Sequence, residues 1–284
     1  MGNSVILITG TSSGFGNLTA RTLAGDGHKV YATMRAPEGT NADSAKKLGE
    51  IPNIKVLDLD VTNDISVNET VKKVVDAESR IDVVVNNAGS GNFGLTEAFT
   101  IDQTRQIFEV NILGPMRVNR AALPQMRKQR SGLIIQISSI GGRIVMPYMA
   151  AYIASKFAIE AIAQSYSMEL QPMGIESVII EPGGYPTNFM TKMLAPEDKG
   201  VLSDYGELAK APEQMLEGFG DMFKGPDAPN PQYVADAIKK LVDMEAGKRP
   251  LRTVVDTMTG QIVVDLNKAS DRSQEEVMKL FSPT

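Results

Sequence analysis

Three glycines, Gly10, Gly14 and Gly16, stand in Thr9-Gly10-Thr11-Ser12-Ser13-Gly14-Phe15-Gly16, directly after the apolar run Val5-Ile6-Leu7-Ile8 and at the start of a helical pattern. This context constrains the fold more than the glycines themselves. A buried strand, a turn free of Cβ atoms and a helix in immediate succession make the first half of a β-α-β unit. Such a turn lets the helix pack closely on its strand and leaves the first helical N–H groups free, which is a ready site for an anion. Similar glycine spacings also occur in plain Gly/Ser loops, and the flanking strand and helix set this one apart.

The same alternation continues along the chain. Apolar runs recur at Lys29-Val30-Tyr31-Ala32, Lys55-Val56-Leu57, Asp82-Val83-Val84-Val85, Leu133-Ile134-Ile135 and Ser177-Val178-Ile179-Ile180. They are apolar on consecutive residues, as strands of a parallel sheet are when helices cover both faces. Helical patterns are read at 15–25, 64–78, 102–130 and 151–173, with Gly174 as a stop. The expected fold is therefore α/β: a doubly wound, Rossmann-type parallel sheet, with residues 1–284 forming a single domain. Beyond Glu181 the regularity fades. Residues 184–230, rich in Met, Pro, Gly and Phe, are read as a mobile lid. A helix at 231–247, a strand at Thr253-Val254-Val255 and a helix at 268–281 follow.

Composition removes many chemistries. The 284 residues contain no cysteine, so disulfides, thiolate nucleophiles and zinc-thiolate sites are out of reach. His28 is the only histidine. Standing in Gly25-Asp26-Gly27-His28, it reads as a solvated loop residue, which leaves a Ser-His-Asp hydrolase and a histidine-rich metal site poorly supplied; no metal is expected. A net charge of −5 with scattered Lys and Arg gives no basic face for nucleic acid. No apolar run reaches the ~18 residues of a membrane span. Gly2 with Ser4 invites a myristoylation reading, but Ile6 stands where a Ser or Thr is needed. A soluble, cytoplasmic protein is the simplest expectation.

The ligand of the glycine turn is read from the end of the second strand, Ala32-Thr33-Met34-Arg35. A carboxylate there would hold the ribose 2′-OH of NAD. None is present, and the Arg35 guanidinium suits a 2′-phosphate, with Ser13 as a second phosphate contact, so NADP(H) is the expected cofactor.

Tyr152-Ile153-Ala154-Ser155-Lys156 opens a helix with phenol and ammonium on one face. A fixed cation beside a phenol favours the phenolate and draws its pKa toward a working pH. Tyr with Lys four residues on also occurs on many solvated helix faces, so the pair alone leaves both readings open. Preceding it, Gln136-Ile137-Ser138-Ser139 puts two hydroxyls at the carboxyl edge of the sheet, where ligands of open α/β sheets bind.

At this point the sequence resembles the classical short-chain dehydrogenase/reductase family. The glycine turn, Asp60-Val61, Asn86-Asn87-Ala88-Gly89, Asn111, Ser139, Tyr152, Lys156 and Pro182-Gly183 with Thr187 fall in family order over residues 4 to 190. The resemblance implies that Tyr152 is the general acid/base and that Ser139 hydrogen-bonds the substrate oxygen. Lys156 holds the nicotinamide ribose and lowers the phenol's pKa, and Asn111 positions a water in the proton relay. Ser138 is left as a strand-end packing residue. Cofactor contacts fall on Gly10, Thr11, Ser13, Gly14, Phe15, Gly16, Arg35, Asp60, Val61, Asn87, Ala88, Gly89, Tyr152, Lys156, Pro182, Gly183 and Thr187. Read without the family, Asp60 and the Asn86–Gly89 run are strand-end turn chemistry, and Asn111 is a polar kink in a long helix.

The strand end and long lid are similar to the family's steroid and retinol dehydrogenase branch. With Phe189, Met190, Met193, Leu194, Met215, Leu216, Phe219, Met222 and Phe223 in the lid, this implies a lipophilic ketone, aldehyde or alcohol. The helices at 102–130 and 151–173 resemble those through which the family forms homodimers and homotetramers. The expected activity is hydride transfer between NADP(H) and a carbonyl. The competing expectations are a catalytically silent NADP(H)-binding regulatory protein and an epimerase or dehydratase with bound cofactor.

Overall fold

Strands apolar on consecutive residues have no face to offer water, and the inner ones, at Val5–Thr9, Val83–Asn86 and Gly132–Ile137, are buried at every residue. In the computed structural model, which describes residues 3–223 and 228–281, the strands are β1 Val5–Thr9, β2 Lys29–Met34, β3 Ile54–Asp58, β4 Val83–Asn86, β5 Gly132–Ile137, β6 Ile175–Pro182 and β7 Arg252–Val255. They form one sheet in the order β3-β2-β1-β4-β5-β6-β7, parallel at every pairing. The doubly wound fold is thus observed, with its reversal of strand order between β1 and β4.

Helices α1 Gly14–Gly25, α2 Ala42–Gly49, α3 Asp64–Glu78, α4 Ile101–Phe108, α5 Gly114–Gln129, α6 Ala150–Leu170, α7 Lys199–Asp204, α8 Ala211–Met222, α9 Gln232–Asp243 and α10 Gly260–Phe281 complete the chain. Alternate residues of each strand supply two separate cores. Ile6 and Ile8 pack with Leu23 of α1 and Ile238 of α9, while Val5 and Leu7 pack with Val71 of α3 and Val118 of α5. Each such side chain, fully buried, contributes about 1.5–3 kcal/mol.

Four expectations need correction. The helix read at 102–130 is interrupted by a π turn at Glu109–Leu113, centred on buried Asn111. Pro115, in the first turn of α5, brings no N–H, and Gly114 lies so close to Val61 that a Cβ would meet Val61 Cγ2 at 2.9 Å. Helix α2 was not anticipated, being short and mostly polar. Helix α10 begins at Gly260 instead of 268, because both Asp256 carboxylate oxygens accept backbone N–H groups from Met258 and Thr259 just before its start. His28 is not a solvated loop residue. Its ring is buried, Nδ1 accepts the Ser4 N–H at 3.1 Å, and Nε2 lies 3.8 and 3.9 Å from carboxylates of Asp26 and Asp243. Lys239 already pairs with both of those carboxylates, at 2.9 and 2.5 Å.

Gly174 does end its helix. It follows a 3-10 turn at Gln171–Met173 with φ +73°, and a Cβ there would meet the Arg130 carbonyl oxygen at 2.4 Å. The segment read as a lid carries 3-10 turns at Met190–Lys192 and Gly206–Lys210 besides α7 and α8. The side chains of Phe219 and Met222, assigned to it from sequence, lie outside the described residues. Among the described residues, no helix is long and apolar enough to cross a membrane.

Candidate active site

Where the strand order reverses, the loops leaving β1 and β4 diverge and open a crevice at the carboxyl edge of the sheet. A cavity of about 650 Å³ occupies this edge. The glycine turn, Ser139, Tyr152, Phe189, Met193 and Met258 all line it.

The glycine turn is shaped for close approach. Gly10 has φ +72°, and a Cβ on it would meet Ala88 Cα at 2.7 Å; a Cβ on Gly16 would meet Asn87 Nδ2 at 2.4 Å. Asn87 fixes the turn by donating from Nδ2 to the carbonyls of Thr9 and Gly10, at 2.9 and 3.0 Å. Thr11 is buried and donates from Oγ1 to the Thr33 carbonyl at 3.1 Å, tying the turn to β2. Thr11 and Gly16 therefore build the turn without lining the cavity, whereas Gly10, Ser13, Gly14, Phe15, Asn87, Ala88 and Gly89 line it. The side chain of Ser13 makes no capping bond, and the first turn of α1 carries no acidic residue. The helix thus presents N–H groups and its positive end with no anion of its own.

Arg35 is exposed at the cavity rim, and Asp60 and Val61 line the same end. Asp60 Oδ1 accepts from both N–H and Oγ1 of Thr62, at 2.9 and 2.8 Å, so the turn reading of Asp60 and its place in the cavity are both true. A cradle without Cβ atoms, an open helix end and a guanidinium at the rim suit a phosphorylated dinucleotide. Pro182, Gly183 and Thr187 also line the cavity, with Thr187 Cβ 3.8 Å from the Cβ position of Gly14.

The catalytic candidates converge. Ser139, at the end of β5, accepts the Gly141 N–H at 3.0 Å and donates to the Pro182 carbonyl at 3.5 Å. Tyr152 is buried. Desolvation pushes its phenol up to about 12, and a hydrogen bond with Ser139 pulls the other way. Lys156 Nζ lies 5.6 Å from the Tyr152 ring centroid and donates to the Ile137 carbonyl at 2.7 Å. Burial pushes Lys156 down to about 8 against the opposing charge of Glu160. The Lys156 ammonium is thus anchored by Ile137 beside the phenol ring, and Ser139 counteracts the effect of burial on the phenol.

Asn111 stands behind the cavity wall. Its Oδ1 accepts the Ser90 N–H at 2.8 Å, and its Nδ2 donates to the Ser90 carbonyl at 2.8 Å and to Ser155 Oγ at 2.9 Å. The π turn therefore clamps the loop after β4 to α6, with Asn111 at the kink as the link between them.

Sequence reading missed several groups. Buried Asn92 accepts the Tyr152 N–H through Oδ1 at 2.8 Å, capping α6 from another loop because Met149 at the N-cap position offers no oxygen. No local signal marks such a cap. Met146, Met149 and Asp256 line the cavity, as does Tyr185, whose ring meets Phe15 edge-on at 5.4 Å. Lys192 reaches back to Ser13 Oγ at 3.5 Å.

Over residues 4–198 the chain matches the short chain dehydrogenase family. It is 39% identical over 203 residues to a 3-ketodihydrosphingosine reductase of Bacteroides thetaiotaomicron, covering 72% of each chain. It is 35% identical over 250 residues to human 17-beta-hydroxysteroid dehydrogenase type 1, covering 80% of this chain and 76% of that one. A crystal structure of a short-chain dehydrogenase from Streptomyces avermitilis superposes with a TM-score of 0.77 at 30% identity, covering 98% of this chain and 96% of the other. Structures with nicotinamide dinucleotides bound occur among the similar folds. The chain belongs to the short-chain dehydrogenase family, in its steroid-dehydrogenase-like branch. It is an oxidoreductase acting on CH–OH groups with a nicotinamide cofactor.

Proposed function

We propose that the protein reduces lipophilic ketones or aldehydes to alcohols with NADPH. The observation that carries this reading is the meeting of Ser139, Tyr152 and Lys156 in one cavity that Met146, Met149, Phe189 and Met193 also line. When bound, the cofactor supplies the hydride. Ser139 holds the substrate oxygen, and Tyr152, whose phenol stays protonated through neutral pH, gives that oxygen its proton. Lys156 supports the phenol and holds the cofactor ribose, while Asn111 keeps the loop after β4 and helix α6 in register for a water relay.

Gly10, Ser13, Gly14 and Phe15 would cradle the pyrophosphate, Asp60, Val61, Asn87, Ala88 and Gly89 the adenosine, and Pro182, Gly183 and Thr187 the carboxamide end. Arg35 at the rim supports NADP(H) over NAD(H). Phe189, Met190 and Met193 face the Tyr152 end and support an apolar substrate. The segment 184–230 acts as its lid on a single domain. Exposed Met116, Phe157 and Met168 on α5 and α6 support a homodimer or homotetramer.

The test follows absorbance of NADPH with a panel of lipophilic ketones and aldehydes. Stoichiometric oxidation of NADPH is expected. Binding of NADPH without consumption would overturn the reading in favour of a silent binding protein, and substrate conversion without net consumption in favour of an epimerase or dehydratase.

A further inference from the structure

Behind the catalytic helix lies a buried ionic cluster that the reaction leaves unused. The side chains of Glu160 on α6, Glu181 on β6 and Arg252 on β7 are 3%, 0% and 4% exposed. Arg252 Nε donates to Glu160 Oε2 at 2.8 Å and lies 3.6 Å from Glu181 Oε1. Its Nη1 donates to half-exposed Asp271 at 3.0 Å and its Nη2 to Gln164 at 2.7 Å. Asn267 on α10 donates to Glu181 Oε2 at 2.6 Å and accepts from Arg143 Nε at 2.8 Å. Among the described residues, Glu160 Oε1 and Glu181 Oε1 have no conventional donor. Two buried carboxylates sharing one guanidinium cannot both ionise at low cost, and the pair retains a proton. Burial and the neighbouring Glu160 push the Glu181 carboxyl up to about 8.

The cluster touches both halves of the catalytic machinery. Glu160 is one helical turn beyond Lys156, and its charge opposes the loss of the Lys156 proton. A Cβ on Gly142 would meet Ser138 Oγ at 2.6 Å and Glu160 Cγ at 3.0 Å, so Glu160 packs against the loop that follows Ser139. Glu181 immediately precedes Pro182, whose carbonyl accepts from Ser139.

We propose that Glu160 and Glu181 form a proton-sharing pair held by Arg252, in which Glu160 is the ionised positioning residue for Lys156 and Glu181 carries the proton. This rests on the reading of Tyr152 and Lys156 as the catalytic pair. The charges around Lys156 and Glu160 are then Glu181 from β6, Arg252 from β7, Asp271 from α10 and Arg143 through Asn267. Removing the negative charge of Glu160 makes a proton on either Lys156 or Tyr152 easier to lose, and the pH profile of the pair moves toward acid. Replacing Glu181 by the amide keeps its neutral form, so the profile stays in place below about pH 8, where the wild-type carboxyl still holds its proton, and moves less than in Glu160→Gln above it.

Two measurements on the full chain test this. The first compares kcat/KM for NADP+-linked alcohol oxidation across about pH 6 to 10 in the wild type, Glu160→Gln, Glu160→Asp and Glu181→Gln. An acid shift of roughly half a pH unit or more is expected in Glu160→Gln, with return toward the wild type in Glu160→Asp, and in Glu181→Gln no shift below about pH 8 and a smaller one above it. Equal shifts in Glu160→Gln and Glu181→Gln, or none in Glu160→Gln, would overturn the assignment.

The second measurement is the melting temperature against pH, which needs no turnover. A carboxyl whose folded pKa exceeds its unfolded value stabilises fully below the unfolded pKa of 4.5, and that contribution is lost as pH rises toward about 8. The wild type should show this loss, and Glu181→Gln should lack it. The same slope in both would remove Glu181 as the proton carrier even if Glu160→Gln fails to fold. Turnover surviving in Tyr152→Phe would strike the catalytic reading and leave this melting result standing.

Discussion

The carboxyl edge of the sheet and the Phe and Met side chains over it, within residues 184–223, are held by different forces. At the edge, functional groups are fixed by directional bonds arriving from other elements. Asn111 makes three side-chain bonds, Asn92 caps the catalytic helix from another loop, and Asn87 closes the glycine turn twice. In the covering segment, Phe189, Met193, Met215 and Leu216 pack by apolar contact alone onto the small core around Tyr152. Away from that core its main chain is tied to the body: Phe93 N–H donates to the Leu194 carbonyl, Leu194 N–H to that of Gly91, Asp198 N–H to that of Ala98 and Gln103 Nε2 to that of Ala195, at 3.0, 2.9, 3.1 and 2.8 Å. Chemistry needs fixed distances, and hydrogen bonds supply them. Selection among apolar shapes needs adaptable contact, which Met and Phe supply.

Changes at the edge should therefore cost catalysis, and changes in the cover should alter substrate preference. The largest effect is expected from Tyr152→Phe, which removes the proton donor while keeping the ring packed 5.4 Å from Phe189. Turnover should fall by about 10²–10⁴-fold, with NADPH affinity, read by fluorescence titration, nearly unchanged. Near-normal turnover would place the proton donor elsewhere. Asn111→Ala should act on both activity and folding. It leaves the Ser90 N–H and carbonyl without their Asn111 partner and Ser155 Oγ with the Tyr152 carbonyl alone, a cost of about 1–3 kcal/mol. A melt showing no loss would mean the clamp is not what holds the loop to α6.

Arg35→Asp comes next, because it alters only one end of the cofactor site. Losing a charge-assisted contact to phosphate should weaken NADPH by roughly 1.5–3 kcal/mol, about ten- to a hundredfold. NADH should be affected far less. Equal KM values for the two cofactors in the wild type would remove Arg35 as the discriminator.

The same contrast explains what was legible in the sequence. Strands and the doubly wound order were readable because consecutive apolar residues have one physical use, burial between helices. The glycine turn and the Tyr152–Lys156 spacing were readable because each is local. Asn92 was invisible, since an oxygen that caps a helix from another loop leaves no periodic trace. The π turn at Asn111 hid inside a pattern that still averaged as helix. His28 was misread because a short loop says nothing of which way its side chain folds, and this one turns under β1 to accept from Ser4. The Glu160–Glu181–Arg252 cluster joins three elements far apart in sequence, and composition cannot announce it.

The smallest effect is expected from Phe189→Ala, and it separates the two regions most cleanly. Phe189 spans the cavity from Tyr152 to Gly91, where a Cβ would meet Phe189 Cζ at 2.8 Å. Its removal enlarges the apolar wall without touching a hydrogen bond to the phenol or to Ser139. The rate with a small ketone at saturation should remain close to that of the wild type, while its KM rises by about 1–3 kcal/mol of lost apolar contact. A bulkier ketone should lose less, because it fills the vacated space, so the ratio of kcat/KM values moves toward the larger substrate. A fall in kcat shared equally by both substrates would mean that Phe189 positions the phenol, and the division between a hydrogen-bonded edge and an adaptable cover would fail at the one residue that touches both.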